Sequence, residues 1–139
     1  MKSIPPVSTI MSVKIITLKK DDDLEKAEHL FKKHKIRHIP VVKGDAIIGM
    51  LSYTDLLRIS FADAVDDTED EIESLVYNMF TIEQVMVKNV VTVTSDTSIK
   101  DVAKILAKEE FHALPIVDDG SLVGIVTTTD LINFLLIQL

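Results

Sequence analysis

Apolar residues along this chain fall into short runs and helical stripes, and the same succession occurs twice. The first runs are Ile15-Ile16-Thr17-Leu18 and Val90-Val91-Thr92-Val93, whose β-branched content predicts strands over 15–18 and 90–93. Asp21-Asp22-Asp23 and Ser95-Asp96-Thr97-Ser98 follow, offering side-chain oxygens that can cap the orphan N–H groups of a helix. The helices then carry apolar residues at Leu24, Ala27, Leu30 and Phe31, and at Ile99, Val102, Ala103, Ile105 and Leu106. That is close to the spacing of one buried stripe. Ile39-Pro40-Val41-Val42 and Leu114-Pro115-Ile116-Val117 read as short buried strands. Their prolines lack a ladder donor, which predicts a strand start or an edge. Lys43-Gly44-Asp45 and Asp118-Asp119-Gly120 are turn sequences that close hairpins onto residues 46–51 and 122–126. A second helix is expected to begin at Thr54-Asp55 and at Thr129-Asp130. The order in each half is β-α-β-β-α.

The two halves align without a gap, residues 7–59 on 82–134, at an offset of 75. Identical pairs include Met11/Met86, Pro40/Pro115, Gly49/Gly124, Thr54/Thr129 and Asp55/Asp130, and most other pairs exchange one apolar residue for another. A repeat this long is one structural unit used twice. A unit of about 55 residues lies at the small end of independent stability. Two such units are therefore expected to pack as a pseudo-twofold pair through their sheets, giving an α/β (α+β) fold. The expected boundaries are a first motif over 1–60, an acidic linker with a helix over 61–81, and a second motif over 82–139.

Composition narrows the class. Of 139 residues, 47% are hydrophobic, which is ample for a core. The chain has no cysteine, so disulfides, thiolate metal sites and cysteine nucleophiles are excluded, and a reducing cytosol fits. The N-terminus lacks the apolar stretch of a signal peptide. The segment Leu131 to Leu139 contains Asn133 and Gln138 and is too short to span a bilayer. A soluble, cytoplasmic protein with no membrane partner is expected. The net charge of −7 is uneven, because seven acidic residues fall between Asp63 and Glu73 with no Lys or Arg among them. The repeats are thus close to neutral. No basic face announces a nucleic-acid partner. The acidic run reads as a solvated linker, and Ile72, Leu75, Val76, Met79 and Phe80 as the stripe of a linker helix covering the core.

The candidate chemistry lies in Gly49-Met50-Leu51-Ser52-Tyr53-Thr54-Asp55 and its copy Gly124-Ile125-Val126-Thr127-Thr128-Thr129-Asp130. Ser52 and Thr54, or Thr127 and Thr129, lie at alternate positions and can point the same way from an extended segment. The helix start adds free N–H groups and a positive dipole end, both favourable to an anion. A carboxylate just inside the helix repels phosphate but accepts well from vicinal hydroxyls. A ribose phosphate satisfies both demands. The plainer account also stands: Thr54 and Thr129 are ordinary N-caps, and Asp55 and Asp130 complement the helix dipole without any ligand. Enzymatic readings have less support. His29, His34, His38 and His112 lack metal-ligand spacing, and no nucleophile elbow or P-loop is present. No metal, required cofactor or catalytic residue is expected.

With these features in register, the chain resembles a tandem pair of CBS motifs, a Bateman module without an attached catalytic domain. The resemblance rests on Met11 and Met86, the apolar-Pro-Val/Ile-Val strands and both Gly-to-Asp signatures, and it covers residues 7–60 and 82–139. It implies a regulatory, non-enzymatic module that binds AMP, ADP or ATP in clefts between the motifs and signals by conformational change. Asp55 and Asp130 would accept the ribose hydroxyls. Ser52, Thr54, Thr127 and Thr129 would bind phosphate, joined by Arg37, His38 and His112. Ile15, Ile16, Ile39, Val90, Val91 and Leu114 would hold adenine. The second site has Ala113 where the first has His38, so it lacks one basic group. A homodimer is implied, with Phe134, Leu135, Ile137 and Leu139 suited to the interface or to completing the core, and a protein partner of unknown identity. The alternatives are an interaction scaffold with empty clefts, or a sensor of S-adenosylmethionine, NAD or a cyclic dinucleotide.

Overall fold

The computed structural model describes residues 4–62, 79–109 and 111–139. The acidic run at 63–73 and the linker-helix residues Ile72, Leu75 and Val76 lie outside them. Two compact units are present. Residues 16–90 form one, and residues 1–15 together with 91–139 form the other.

In the unit of residues 16–90, β1 (Leu18–Lys19), α1 (Leu24–His34), β2 (His38–Lys43), β3 (Ala46–Ser52), α2 (Tyr53–Ala62) and the short α3 (Ile82–Val85) follow in order. In the other, α4 (Ile99–Lys108), β4 (Ala113–Asp118), β5 (Ser121–Thr127) and α5 (Thr128–Gln138) follow a 3-10 turn at Val7–Thr9. The fold is mixed α/β with two sheets, one ordered β1-β2-β3 and the other the β4-β5 hairpin. Both hairpins are antiparallel and carry the same irregularity, between Val41/Val42 and between Ile116/Val117. The expected caps form: the Asp23 side chain accepts from the Lys26 N–H and the Ser98 side chain from the Asp101 N–H. The helix stripes bury Leu24, Ala27 and Phe31 in α1 and Ile99, Val102 and Leu106 in α4.

Each unit has its own core cluster. One joins Leu18, Leu24, Phe31, Ile39, Val41, Leu51, Leu56, Ile82 and Met86, with Phe80 packed against it. The other joins Val7, Val93, Val102, Leu106, Leu114, Ile116 and Val126.

Three sequence expectations shift. The first strand does not span 15–18. It begins at Leu18, which pairs in parallel with Val41, and its counterpart is a single bridge between Val93 and Ile116. The cause is the proline, which lies inside β2, the central strand of its sheet, and inside β4, an edge strand as expected. Val93 N–H donates to the Pro115 carbonyl and Val117 N–H to the Val93 carbonyl. The preceding rung of this parallel ladder needs the Pro115 N–H, which proline lacks, and the ladder ends there. The equivalent rung from Pro40 to Ile16 is missing for the same reason. The second helix of each repeat starts one residue before the expected Thr54 and Thr129, at Tyr53 and Thr128. The strand runs straight into the helix, because Tyr53 N–H donates to the Arg37 carbonyl at 2.8 Å and Thr128 N–H to the His112 carbonyl at 3.0 Å.

The leading segment of each repeat packs with the hairpin of the other. Ser12 exchanges backbone hydrogen bonds of 2.8 and 3.0 Å with Ile125, and Val87 exchanges bonds of 2.9 and 3.0 Å with Met50. Beside these bridges the methionines preceding the first strands find their role. A Cβ on Gly49 would overlap the Met86 thioether, with Cγ at 2.9 Å, and one on Gly124 would overlap Met11, with Cγ at 3.0 Å and the Ser12 carbonyl oxygen at 3.2 Å. Both glycines leave room for a methionine.

Candidate functional site

The hairpin base and the helix entry place most of the expected residues together. His38 lies opposite Ser52 in the β2-β3 register, and Ala113 opposite Thr127 in β4-β5. Arg37 precedes β2 and is held by its carbonyl against the first residue of α2. Its counterpart His112 is held the same way at α5. Arg37 and His112 are exposed at the side chain, and His38 is half-buried.

The hydroxyls divide into two kinds. Ser52 and Thr127, not Thr54 and Thr129, are the N-caps. Ser52 Oγ accepts from the Asp55 N–H at 3.0 Å, and Thr127 Oγ1 from the Asp130 N–H at 3.2 Å. Thr54 and Thr129 are exposed on the first turn. The carboxylates also differ. Asp130 Oδ2 accepts from the Thr127 N–H at 2.9 Å, completing a capping box. Asp55 instead directs Oδ1 to Arg58 Nη1 at 3.6 Å. Sequence reading overlooked Arg58. The signal was available, since a residue three positions after Asp55 shares its helical face.

The apolar candidates separate. Ile39 and Leu114 are both 0% exposed and belong to the two cores. Ile15, Ile16 and Val90 are half-buried, and Val91 is 44% exposed. The division of the chain into units falls between Ile15 and Ile16 and between Val90 and Val91. Because the proline rung is missing, the carbonyls of Ile16 and Val91 are left out of the parallel ladder. Among the described residues no group of His, Asp and Glu side chains is arranged to hold a metal ion, and no helix is long and apolar enough to cross a membrane.

Three comparisons place this geometry. The CBS domain matches residues 7–62 and 82–137. The uncharacterized protein MJ1426 of Methanocaldococcus jannaschii is 32% identical over 146 residues, covering 88% of this chain and 87% of that protein. The uncharacterized protein MJ1225 of the same organism is 30% identical over 131 residues, covering 94% of this chain, which spans only 42% of that protein's length. Among solved structures, the CBS domain pair of protein MJ0100, in complex with 5-methylthioadenosine and S-adenosyl-L-methionine, superposes with a TM-score of 0.81 at 27% identity, covering 99% of this chain and 100% of that one. With its two matched segments, its two β-α-β-β-α repeats and its paired Gly-to-Asp signatures, the chain belongs to the CBS domain family as a tandem CBS pair.

Proposed function

We propose that this CBS pair is a regulatory module that binds adenosine nucleotides, AMP, ADP or ATP, and passes their presence to a partner through a change of conformation. The observation that carries the reading is the gathering, in each repeat, of a capping hydroxyl, an exposed first-turn threonine, a carboxylate and a basic loop residue at one helix start. Phosphate suits the N–H groups of Thr54 and Thr129, the threonine hydroxyls and Arg37, His38 or His112. Ribose hydroxyls suit Asp55 and Asp130. Adenine suits the leading segment of each repeat, Ile15 and Ile16 in the first and Val90 and Val91 in the second, where the Ile16 or Val91 carbonyl can accept from its 6-amino group. The role is binding rather than catalysis, in the cytoplasm, with motif boundaries at 1–60 and 82–139.

A ligand shifts such a module only by its difference in affinity for two arrangements. We also propose a homodimer through the second helices. Leu135, Leu136 and Ile137 on α5 are 56%, 64% and 80% exposed, so they do not complete the core and would gain from a cover. Sedimentation at rising concentration tests this, with a monomer at all concentrations overturning it.

A second reading exchanges the ligand for an adenosyl thioether or sulfonium, and the ligands of the MJ0100 pair favour it. One titration separates the readings. Thermal unfolding with AMP, ADP, ATP, S-adenosylmethionine, 5-methylthioadenosine and NAD should show a rise for the true ligand, about 2.7 kcal/mol of added stability at roughly 100 times its dissociation constant. The rise should fall in Asp55→Ala or Asp130→Ala. A flat panel would replace sensing by the scaffold reading.

A further inference from the structure

We infer that Arg58 makes the two nucleotide sites sort ligands by charge, the first repeat taking phosphorylated adenosine ligands and the second taking uncharged or cationic ones. The inference rests on the reading of both helix entries as adenosine sites. Its own ground is a difference between the repeats that the shared signature conceals.

At the first helix entry two guanidinium groups, Arg37 and Arg58, accompany one carboxylate, Asp55. The Arg58 guanidinium pairs with that carboxylate at 3.6 Å, and the Arg58 side chain remains 74% exposed. An anion arriving beside Asp55 therefore meets a carboxylate whose charge is already opposed, with cations before and after it in the chain. At the second entry the position of Arg58 is held by Asn133, that of Arg37 by His112 and that of His38 by Ala113. Asp130 forms no ion pair among the described residues. Its carboxylate is also turned back onto the Thr127 N–H at 2.9 Å, which fixes the negative charge at the helix entry. A di- or triphosphate placed there meets an unopposed carboxylate at close range. A neutral nucleoside or a sulfonium meets no such penalty, and the sulfonium is attracted. Arg58 is exposed although Asp55 is half-buried, so the sorting is a matter of a few-fold in affinity and is screened by salt.

The test is calorimetric titration of the full chain with adenosine, AMP, ATP and S-adenosylmethionine, with one site read at a time. An Asp130→Ala background reports the first site, and an Asp55→Ala background the second. At the first site ATP and AMP should bind more tightly than adenosine, and Arg58→Asn should weaken ATP about three- to fivefold while leaving adenosine unchanged. At the second site that order should be absent, and Asn133→Arg should create it. Added salt should shrink the ATP preference at the first site. Asn133 is exposed, so the reciprocal variant tests the idea without depending on Arg58→Asn folding. Equal losses for adenosine and ATP in Arg58→Asn, or no gain in Asn133→Arg, would overturn the charge assignment while leaving both sites standing. Failure of the site reading looks different: no adenosine ligand binds, or both Asp variants bind as the parent does, and the inference then falls with it.

Discussion

The two repeats share a set of backbone contacts and differ mainly in the side chains placed around them. Tyr53 and Thr128 donate to equivalent carbonyls, Val87 and Ser12 bridge to equivalent strand positions, and Met86 and Met11 rest on equivalent glycines. Around this common frame the first repeat stacks Phe31 edge-on against Tyr53, with ring centroids 5.3 Å apart and planes at 60°. The second has Leu106 and Thr128 at those positions. The first helix ends on Lys35 in the left-handed region, the equivalent α4 on an extended Glu109. At the turn end of the sheet, Lys20 and Lys43 correspond to Ser95 and Asp118, which are joined by two hydrogen bonds in the second repeat. On the proposed reading, the frame would set where a ligand sits, and the divergent side chains which ligand it is.

That contrast can be broken at four points. The largest effect is expected at the glycines. Gly124→Ala should cost about 2–3 kcal/mol and Gly49→Ala about 1–2 kcal/mol, because a backbone oxygen is among the three atoms nearest a Gly124 Cβ, whereas the three nearest a Gly49 Cβ all belong to the flexible Met86 side chain. Denaturant unfolding gives the ranking, and Met86→Ala should partly restore Gly49→Ala. Equal costs without restoration would mean that the methionine contacts do not set the glycine requirement. Next, Phe31→Leu installs the second repeat's residue in the first. It should cost about 1 kcal/mol through loss of the ring contact. If Phe31→Leu is as stable as the parent, the aromatic pair is not a distinguishing source of stability.

The carboxylates give a smaller difference of known sign. Asp130→Ala removes a capping-box bond and should cost about 0.5–1 kcal/mol. Asp55→Ala removes a long ion pair to the exposed Arg58 and should stay within about 0.5 kcal/mol of the parent. Thermal unfolding without ligand measures both, and the reverse order would contradict the geometry at the two helix starts. The smallest effect concerns acid. The Ser95 hydroxyl, and then its N–H, hold the Asp118 carboxyl below the usual carboxylate range. A carboxyl depressed in the folded state adds stability above its unfolded pKa, near 4. That contribution disappears as pH falls through the lower folded value. Ser95→Ala should therefore narrow the stability difference between neutral and acidic pH. An unchanged pH profile would remove Asp118 from the account.

Much of this was legible from residues alone. The repeat, the helix stripes, the caps at Asp23 and Ser98 and the hairpin turns follow from local periodicity and side-chain chemistry. The short first strand was not, because its length depends on a missing donor in a neighbouring strand, Pro40 or Pro115. The burial of Ile39 and Leu114 was not, because an apolar run does not say which of its residues face the core. Arg58 does not stand out from the repeat, because alignment of the halves displays what they share and the ion pair lies in what they do not.

The exchange of leading segments has a consequence for how the chain reaches its structure. Residues 16–90 are continuous, and every contact of their core can form once Val90 has left the ribosome. The other unit must join residues 1–15 to residues 91–139. Its first segment is made earliest and waits longest, and Ser12 must find Ile125 across more than a hundred residues. Closing so long a loop slows a unit far more than it weakens it. The contiguous unit is then the natural first product of synthesis, and it shortens the effective loop that remains. The methionine tucked against Gly124 becomes one of the last contacts made, although it is synthesised before any residue of the contiguous unit.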